Sequence, residues 1–292
     1  MKQIPIGTCV PGQHALKMLP GMKNAGFECF EICFHMEFYG VDIRELAPKV
    51  LGELEGTGAK VSAVGLYCNP LAEEEHFRNL CLLIENAKLF GVDKICTFAG
   101  ALPGKSVEEA MPAFKKVFGE LAKRAADQGL SIAFENCPMG GDWRRPTCNL
   151  AFAPRAWEMM FNEVPADNLG LEWEPAHAMS QLIDPIAQLR KWVRKVIAVH
   201  GKDCTADMAG IREDGILCGK NFLPNRMPGF GDTNWRDVFF ILRQNGFEGD
   251  VNIEGYHDPV YGRDWEMTGQ LHALKYLKWA RGGDFVPNPW EI

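Results

Sequence analysis

No run of this 292-residue chain approaches 18 consecutive apolar residues, which excludes an ordinary membrane-spanning helix. No CxxC pair occurs among its ten cysteines, scattered from Cys9 to Cys218, so neither a thiolate zinc site nor a disulfide framework is expected. Several lie in apolar, strand-like runs and read as free buried thiols in a reducing compartment. Positive charge is in deficit, with 31 Lys and Arg against 38 Asp and Glu and a formal net charge of -7. Gripping nucleic-acid phosphates requires a clustered basic face; the cluster Arg190, Lys191, Arg194 and Lys195 reads instead as the solvated side of a helix. The opening Met1-Lys2-Gln3-Ile4-Pro5-Ile6 passes into a strand pattern without an apolar signal core, and a cytoplasmic location is expected. Linkers, repeats and low-complexity segments are missing too. Residues 1–292 are expected to form a single domain, with an apolar tail at 281–292 that packs on its own domain or reaches a partner subunit.

What the chain has in quantity is alternation. Strand patterns at 4–10, 27–34, 61–67, 94–98, 131–136, 168–174, 196–200 and 251–254 are each followed by a helical period. The helices are expected at 14–25, 42–54, 73–90, 106–128, 154–161, 184–194, 235–245 and 266–281, the fourth opened by the capping box Ser106-Val107-Glu108-Glu109. Eight strand–helix units with right-handed crossovers close into an α/β fold, a single (β/α)8 TIM barrel. The Gly- and Pro-rich stretch 201–232 reads as a long loop, a length usually tied to function.

The centre of the chain is Leu169-Gly170-Leu171-Glu172-Trp173-Glu174-Pro175-Ala176-His177. Period-two alternation puts Glu172 and Glu174 on one face, Pro175 stops the strand, and His177 shares the strand mouth with Glu174. Strand ends converge at one face of such a barrel, and strands five to eight end at Glu135, Glu174, His200 and Glu254. Three carboxylates and an imidazole repel one another unless a cation lies between them. This oxygen-rich set favours Mn2+, with Mg2+ or Co2+ as alternatives; Cys137 and Cys204 read as packing. Glu172 is an extra inward carboxylate, expected to pair with a barrel Lys or Arg.

These residues resemble the xylose-isomerase-like barrels of the sugar isomerase and epimerase class, which include ketose 3-epimerases and the inosose enzymes. The likeness rests on Phe134-Glu135-Asn136, on Gly170 to His177 as G-x-x-x-[DE]-x-x-H, on His200-Gly201-Lys202-Asp203 as H-x-K-D, on Pro228-Gly229-Phe230-Gly231-Asp232 as P-G-x-G-D, and on Ile253-Glu254. The resemblance implies one divalent ion held by Glu135, Glu174, His200 and Glu254, with Glu135 and Glu254 as the acid/base pair and His177 bonded to a substrate oxygen. The implied reaction is proton transfer next to a carbonyl through an enediolate held by the ion. Glu174 stands where Asp is usual, and of the family's substrate-binding arginine only Arg212 offers a counterpart, with a solvated loop charge as the rival reading.

Four further residues have two readings each. His35 and His257 contact substrate or are loop histidines; Lys202 holds a substrate oxygen or forms a structural ion pair; Trp143 lies over a sugar ring or packs in its loop. The leading expectation is a metal-dependent isomerase or epimerase acting on a free sugar, keto sugar or inositol-like polyol. The rivals are a lyase, hydratase or deglycosidase subunit acting on 3-keto-glycosides, and a non-catalytic sugar-binding barrel. Endonuclease chemistry on the same barrel needs histidines at the ends of strands three and four, where Tyr67, Cys68, Thr97 and Phe98 stand instead. The expected partner is a small-molecule sugar or polyol, without nucleic acid or membrane, and by analogy a second copy in a homo-oligomer.

Overall fold

The computed structural model describes residues 3–290. In chain order its first half runs β1 Ile6–Pro11, α1 Ala15–Met22, β2 Cys29–His35, α2 Ile43–Leu54, β3 Lys60–Tyr67, α3 Glu74–Asn86, β4 Lys94–Thr97, α4 Val107–Asp127 and β5 Ser131–Glu135. The second half runs α5 Pro154–Glu163, β6 Leu169–Trp173, α6 Pro175–Met179, α7 Pro185–Trp192, β7 Val196–Gly201, β8 Asp203–Cys204 and α8 Met208–Asp214. It ends with β9 Asn225–Arg226, α9 Trp235–Gln244, β10 Val251–Ile253 and α10 Glu266–Ala280. Eight of the strands pair in parallel as a closed barrel, in the order β1-β10-β7-β6-β5-β4-β3-β2. The α/β barrel read from the alternation is therefore the fold.

Each strand sends one set of side chains outward onto the helices and the other into the barrel. Along β2, Phe30, Ile32 and Phe34 are buried in the main apolar core under the helices, whereas Glu31 enters the interior. Helix α4 starts where the capping box places it: Ser106 accepts from the Glu109 backbone N–H and Glu109 from that of Ser106. Such a cap contributes about 1 kcal/mol.

The interior departs from the usual filling of branched aliphatic residues. Small residues, among them Ala63, Ala133 and Ala198, line it and leave room for polar groups. At Gly65 a methyl group would come within 2.8 Å of the Tyr67 ring and 3.1 Å of Glu31 Oε1, so the absence of a side chain lets these two meet. At the floor Lys94 donates to Asp250 Oδ2 at 2.8 Å, and Asn252 above bonds both Asp250 Oδ1 at 2.9 Å and Glu31 Oε2 at 3.3 Å. A polar column thus runs from the floor of the barrel to its mouth.

Two expectations are corrected here. The stretch 201–232 is not an unstructured loop: β8 and β9 pair antiparallel in it, with α8 between them. Two-residue strands carry no periodic signal, which is why the sequence pattern hid them. The tail does not bury its apolar side chains: Phe285, Val286 and Trp290 are 73%, 80% and 77% exposed, and residues 291–292 lie outside the described residues. Among the described residues no helix is long and apolar enough to cross a membrane.

Candidate active site

The carboxyl ends of β5, β6, β7 and β10 bring Glu135, Glu174, His200 and Glu254 together; one ligating atom from each lies within 4.8 Å of all the others. Local bonds aim them. Asn136 spans the gap between β5 and β6, donating to the Glu174 carbonyl at 2.9 Å and accepting from the Glu174 N–H at 2.7 Å, so the pairing continues past the last strand residues. Asn149 donates to the Glu135 carbonyl at 2.8 Å, and the Glu254 N–H donates to the Gly201 carbonyl at 3.2 Å. The two glycine- and aspartate-bearing motifs pack on each other. Asp203 accepts from the Thr233 and Cys204 N–H groups at 3.0 and 2.9 Å, and a methyl group on Gly231 would meet Asp203 Oδ1 at 2.4 Å.

His200 divides two layers. Its Nδ1 faces the mouth, 3.2 Å from both Glu135 Oε1 and Glu254 Oε2. Its Nε2 faces down, 3.0 Å from Glu172 Oε1 and 3.2 Å from Glu31 Oε2. Against burial, Glu172 and Glu31 hold His200 well above its ordinary value, so the imidazolium points one N–H at each layer; the lower carboxylates would keep the Nε2 proton when a metal replaced the one on Nδ1. The two interruptions of barrel register fall immediately before Glu31 and Glu172, and such bulges re-aim side chains next to functional sites.

Glu172 was expected to pair with a barrel Lys or Arg. It does not: the Tyr67 hydroxyl lies 2.8 Å from its Oε2 and 2.5 Å from Glu31 Oε1. One hydroxyl proton cannot serve two carboxylates. Burial and the neighbouring Glu31 push the Glu172 carboxyl up to about 8, whereas His200 and Tyr67, against burial, hold Glu31 below its usual range. Tyr67 thus donates to ionised Glu31 and accepts from protonated Glu172.

In the upper layer, Lys202 Nζ lies 2.7 Å from Glu254 Oε2 and 3.4 Å from Glu174 Oε2. Against burial, Lys202 and His200 hold Glu254 well below the usual carboxylate range. Burial pushes Glu174 up to about 8, with Lys202 pulling it down and Glu254 adding to the rise. His177 lies 3.3 Å from Glu174 Oε2 without the alignment of a hydrogen bond, and burial together with Lys202 keeps its imidazole neutral. Glu174 Oε1, fully buried, has no hydrogen-bond partner among the described residues. That orphaned oxygen, and three carboxylates against one ammonium, fit a divalent cation.

These groups open into a cavity of about 500 Å3. His35, His257, His177 and Lys202 line it, and His257 Nδ1 lies 3.8 Å from Glu254 Oε1. Trp143 and Arg212 do not. The Trp143 indole donates to Glu108 at 2.7 Å beneath the Arg155 guanidinium, and Arg212 projects from the exposed α8. Cys137 lines the cavity, but neither it nor Cys204 belongs to a cluster of potential ligands among the described residues. Glu31 and Tyr67 were given no role in the sequence reading, and Asn136 entered it only within the Phe134-Glu135-Asn136 motif. The available signal for Glu31 was a lone carboxylate inside the apolar run Cys29-Phe30-Glu31-Ile32-Cys33.

Comparison with known proteins is consistent with this architecture. The inosose dehydratase of Clostridium tetani is 30% identical over 111 residues, 37% of this chain and 37% of that protein. The chain thus spans little more than a third of that relative's length. Among solved structures, a xylose isomerase domain protein from Planctomyces limnophilus superposes with a TM-score of 0.72 at 19% identity, covering 96% of this chain and 98% of that one. The 3-keto-D-glucoside 4-epimerase of E. coli gives a TM-score of 0.70 at 17% identity, over 95% and 100%. The model of the family described as xylose isomerase-like TIM barrel matches residues 21–279, and the chain belongs to that family.

Proposed function

We propose that this protein is a divalent-metal-dependent enzyme that removes and returns a proton next to the carbonyl of a neutral keto sugar or inositol-like ketone, as an isomerase or epimerase. The observation that carries the reading is the convergence of Glu135, Glu174, Glu254 and His200 Nδ1 on one point, with Lys202 fixed beside them. When bound there, the ion supplies a concentrated positive charge that polarises the carbonyl and acidifies the neighbouring C–H; the oxygen-rich donor set favours Mn2+ or Mg2+. Glu254, kept ionised by Lys202, is the base. Glu135, delivered by β5 at the other end of the same charged half, is the partner that returns the proton. Neutral His177 donates a hydrogen bond to a substrate hydroxyl. The Lys202 ammonium, held by Glu254 and Glu174, adds positive charge where the enolate oxygen develops.

A second reading keeps the same proton abstraction and follows it with loss of a β-substituent. It is favoured by the curated relative, an inosose dehydratase, whose name denotes loss of water. Incubation in D2O with ketoses, 3-keto-glucosides and inososes, with Mn2+ and with chelator, tests both. Metal-dependent deuterium uptake beside the carbonyl is expected, and the product distinguishes an inverted centre from an eliminated group. Absence of uptake on every substrate by protein shown to bind Mn2+ removes the enolate reading and leaves a sugar-binding barrel.

A further inference from the structure

The proposed chemistry uses only half of the cavity. Around the barrel, β5, β6, β7 and β10 carry the carboxylates, His200 and Lys202, whereas the ends of the contiguous strands β1 to β4 present Cys9, Cys33 and Phe98 to the same space. This second wall is built. Phe98 is buried and held between the edge of His35, 6.1 Å away at 84°, and the tilted ring of Tyr67 at 5.3 Å. Met139 reaches the cavity from the loop after β5 with φ of 49°, and Tyr256 from the loop after β10 with φ of 65°. The Tyr256 hydroxyl donates to the Cys9 carbonyl at 2.8 Å, carrying its ring from the charged half across to the apolar one. Non-glycine residues in that backbone region are held at a cost and cluster where ligands are clamped.

Charge narrows what this wall meets. Among the described residues no arginine lines the cavity, and the ammonium of Lys202 is already paired with Glu254 and Glu174. A phosphate or carboxylate on the substrate would find no free Arg or Lys side chain beside it, among the described residues. A bare polyol would satisfy the charged half and leave the aromatic and sulfur-bearing half against water, in a cavity larger than a single sugar ring requires. We propose that the substrate is a neutral keto sugar bearing an aryl substituent, with the sugar over Glu135 and Glu254 and the aryl ring against Phe98, Met139 and Tyr256. The placement of the sugar rests on the enolate reading above.

The test is calorimetric titration of the Mn2+-loaded full chain with phenyl and methyl 3-keto-β-D-glucopyranoside. The phenyl compound is expected to bind about tenfold tighter or more, the contribution of one buried ring. Phe98→Ala is expected to remove most of that preference and leave methyl-glycoside affinity within about twofold, since it deletes only apolar contact. Should Phe98→Ala fail to fold, Met139→Ala on its half-buried loop is read instead. Equal affinity for the two glycosides, an unchanged preference in the folded variants, or no binding of either glycoside overturns the proposal. Deuterium exchange on unsubstituted 3-keto-glucose separates it from the reading it rests on. Exchange without aryl preference removes the aryl site alone; aryl preference without exchange removes the enolate chemistry alone.

Discussion

The two halves of the barrel mouth are made of the same eight-stranded scaffold and differ in what their alternation delivers. On β6 the inward positions carry Glu172 and Glu174 and the outward ones Leu171 and Trp173, with the Trp173 indole bonded to Gln188 at 2.7 Å. On β4 the inward set ends instead at Cys96 and Phe98. The charged half is high in internal repulsion and the apolar half is well packed. The first is organised around what it binds and the second around what it excludes.

The comparison breaks most sharply at Glu254. Glu254→Gln is expected to lower proton exchange by roughly 10²- to 10⁴-fold, the usual worth of a positioned base. Exchange is followed by NMR in D2O, with Mn2+ binding titrated separately so that loss of the ion is not mistaken for loss of the base. Exchange at the wild-type rate would take Glu254 out of the reaction.

A smaller effect is expected one layer down. Glu31→Gln keeps the shape but replaces the ionised carboxylate that faces His200 Nε2, and Mn2+ affinity should fall by about 10- to 100-fold. Calorimetry reads this directly; an unchanged affinity would reduce the lower layer to filling.

Protonation gives a contrast of sign. In chelator-treated protein Glu172 and Glu174 are pushed up to about 8 from a usual value near 4.5. The folded state then binds more protons than the unfolded chain between those values, so metal-free stability falls as pH rises from about 4.5 to about 8. Metal ligands must be deprotonated, so the stabilisation by added Mn2+ should grow over the same interval. The gap between thermal melts with and without Mn2+ is expected to widen from pH 6 to pH 8.5; a constant gap would mean that Glu174 does not meet the ion.

The smallest effect is expected outside both halves. Trp143→Ala, whose indole faces Glu108 and Arg155, should leave substrate KM within about twofold, because surface changes away from a site are usually near neutral. A large rise in KM would return Trp143 to the cavity.

The strand order and the four convergent candidate ligands were legible because each rests on a period: two along a strand, eight strand–helix units along the chain. Glu135, Glu174, His200 and Glu254 were found as strand-ending polar residues. Glu31 and Tyr67 were not, because their importance lies in meeting Glu172 across the barrel, a relation between β2, β3 and β6 that no local pattern encodes. Lys94 and Asp250 read as strand boundaries, yet they join 156 residues apart at the floor. Removing one partner of such a buried pair typically costs about 3–5 kcal/mol. For Trp143 the loop-packing reading is the one the structure bears out; an aromatic in a loop beside the mouth carries no sequence sign of which way it faces.

Ring closure has a temporal consequence. β10 is only three residues long, pairs with β1 through Ile6 and Val251, and is followed directly by Glu254. During synthesis the first strand pairs early with β2, but its other edge waits for nearly the whole chain, and contacts this distant form slowly. The last piece to arrive completes both the scaffold and the ligand set. A nascent chain lacking β10 holds three of the four groups on neighbouring strands, so an ion that needs all four would be captured only once the circle has closed.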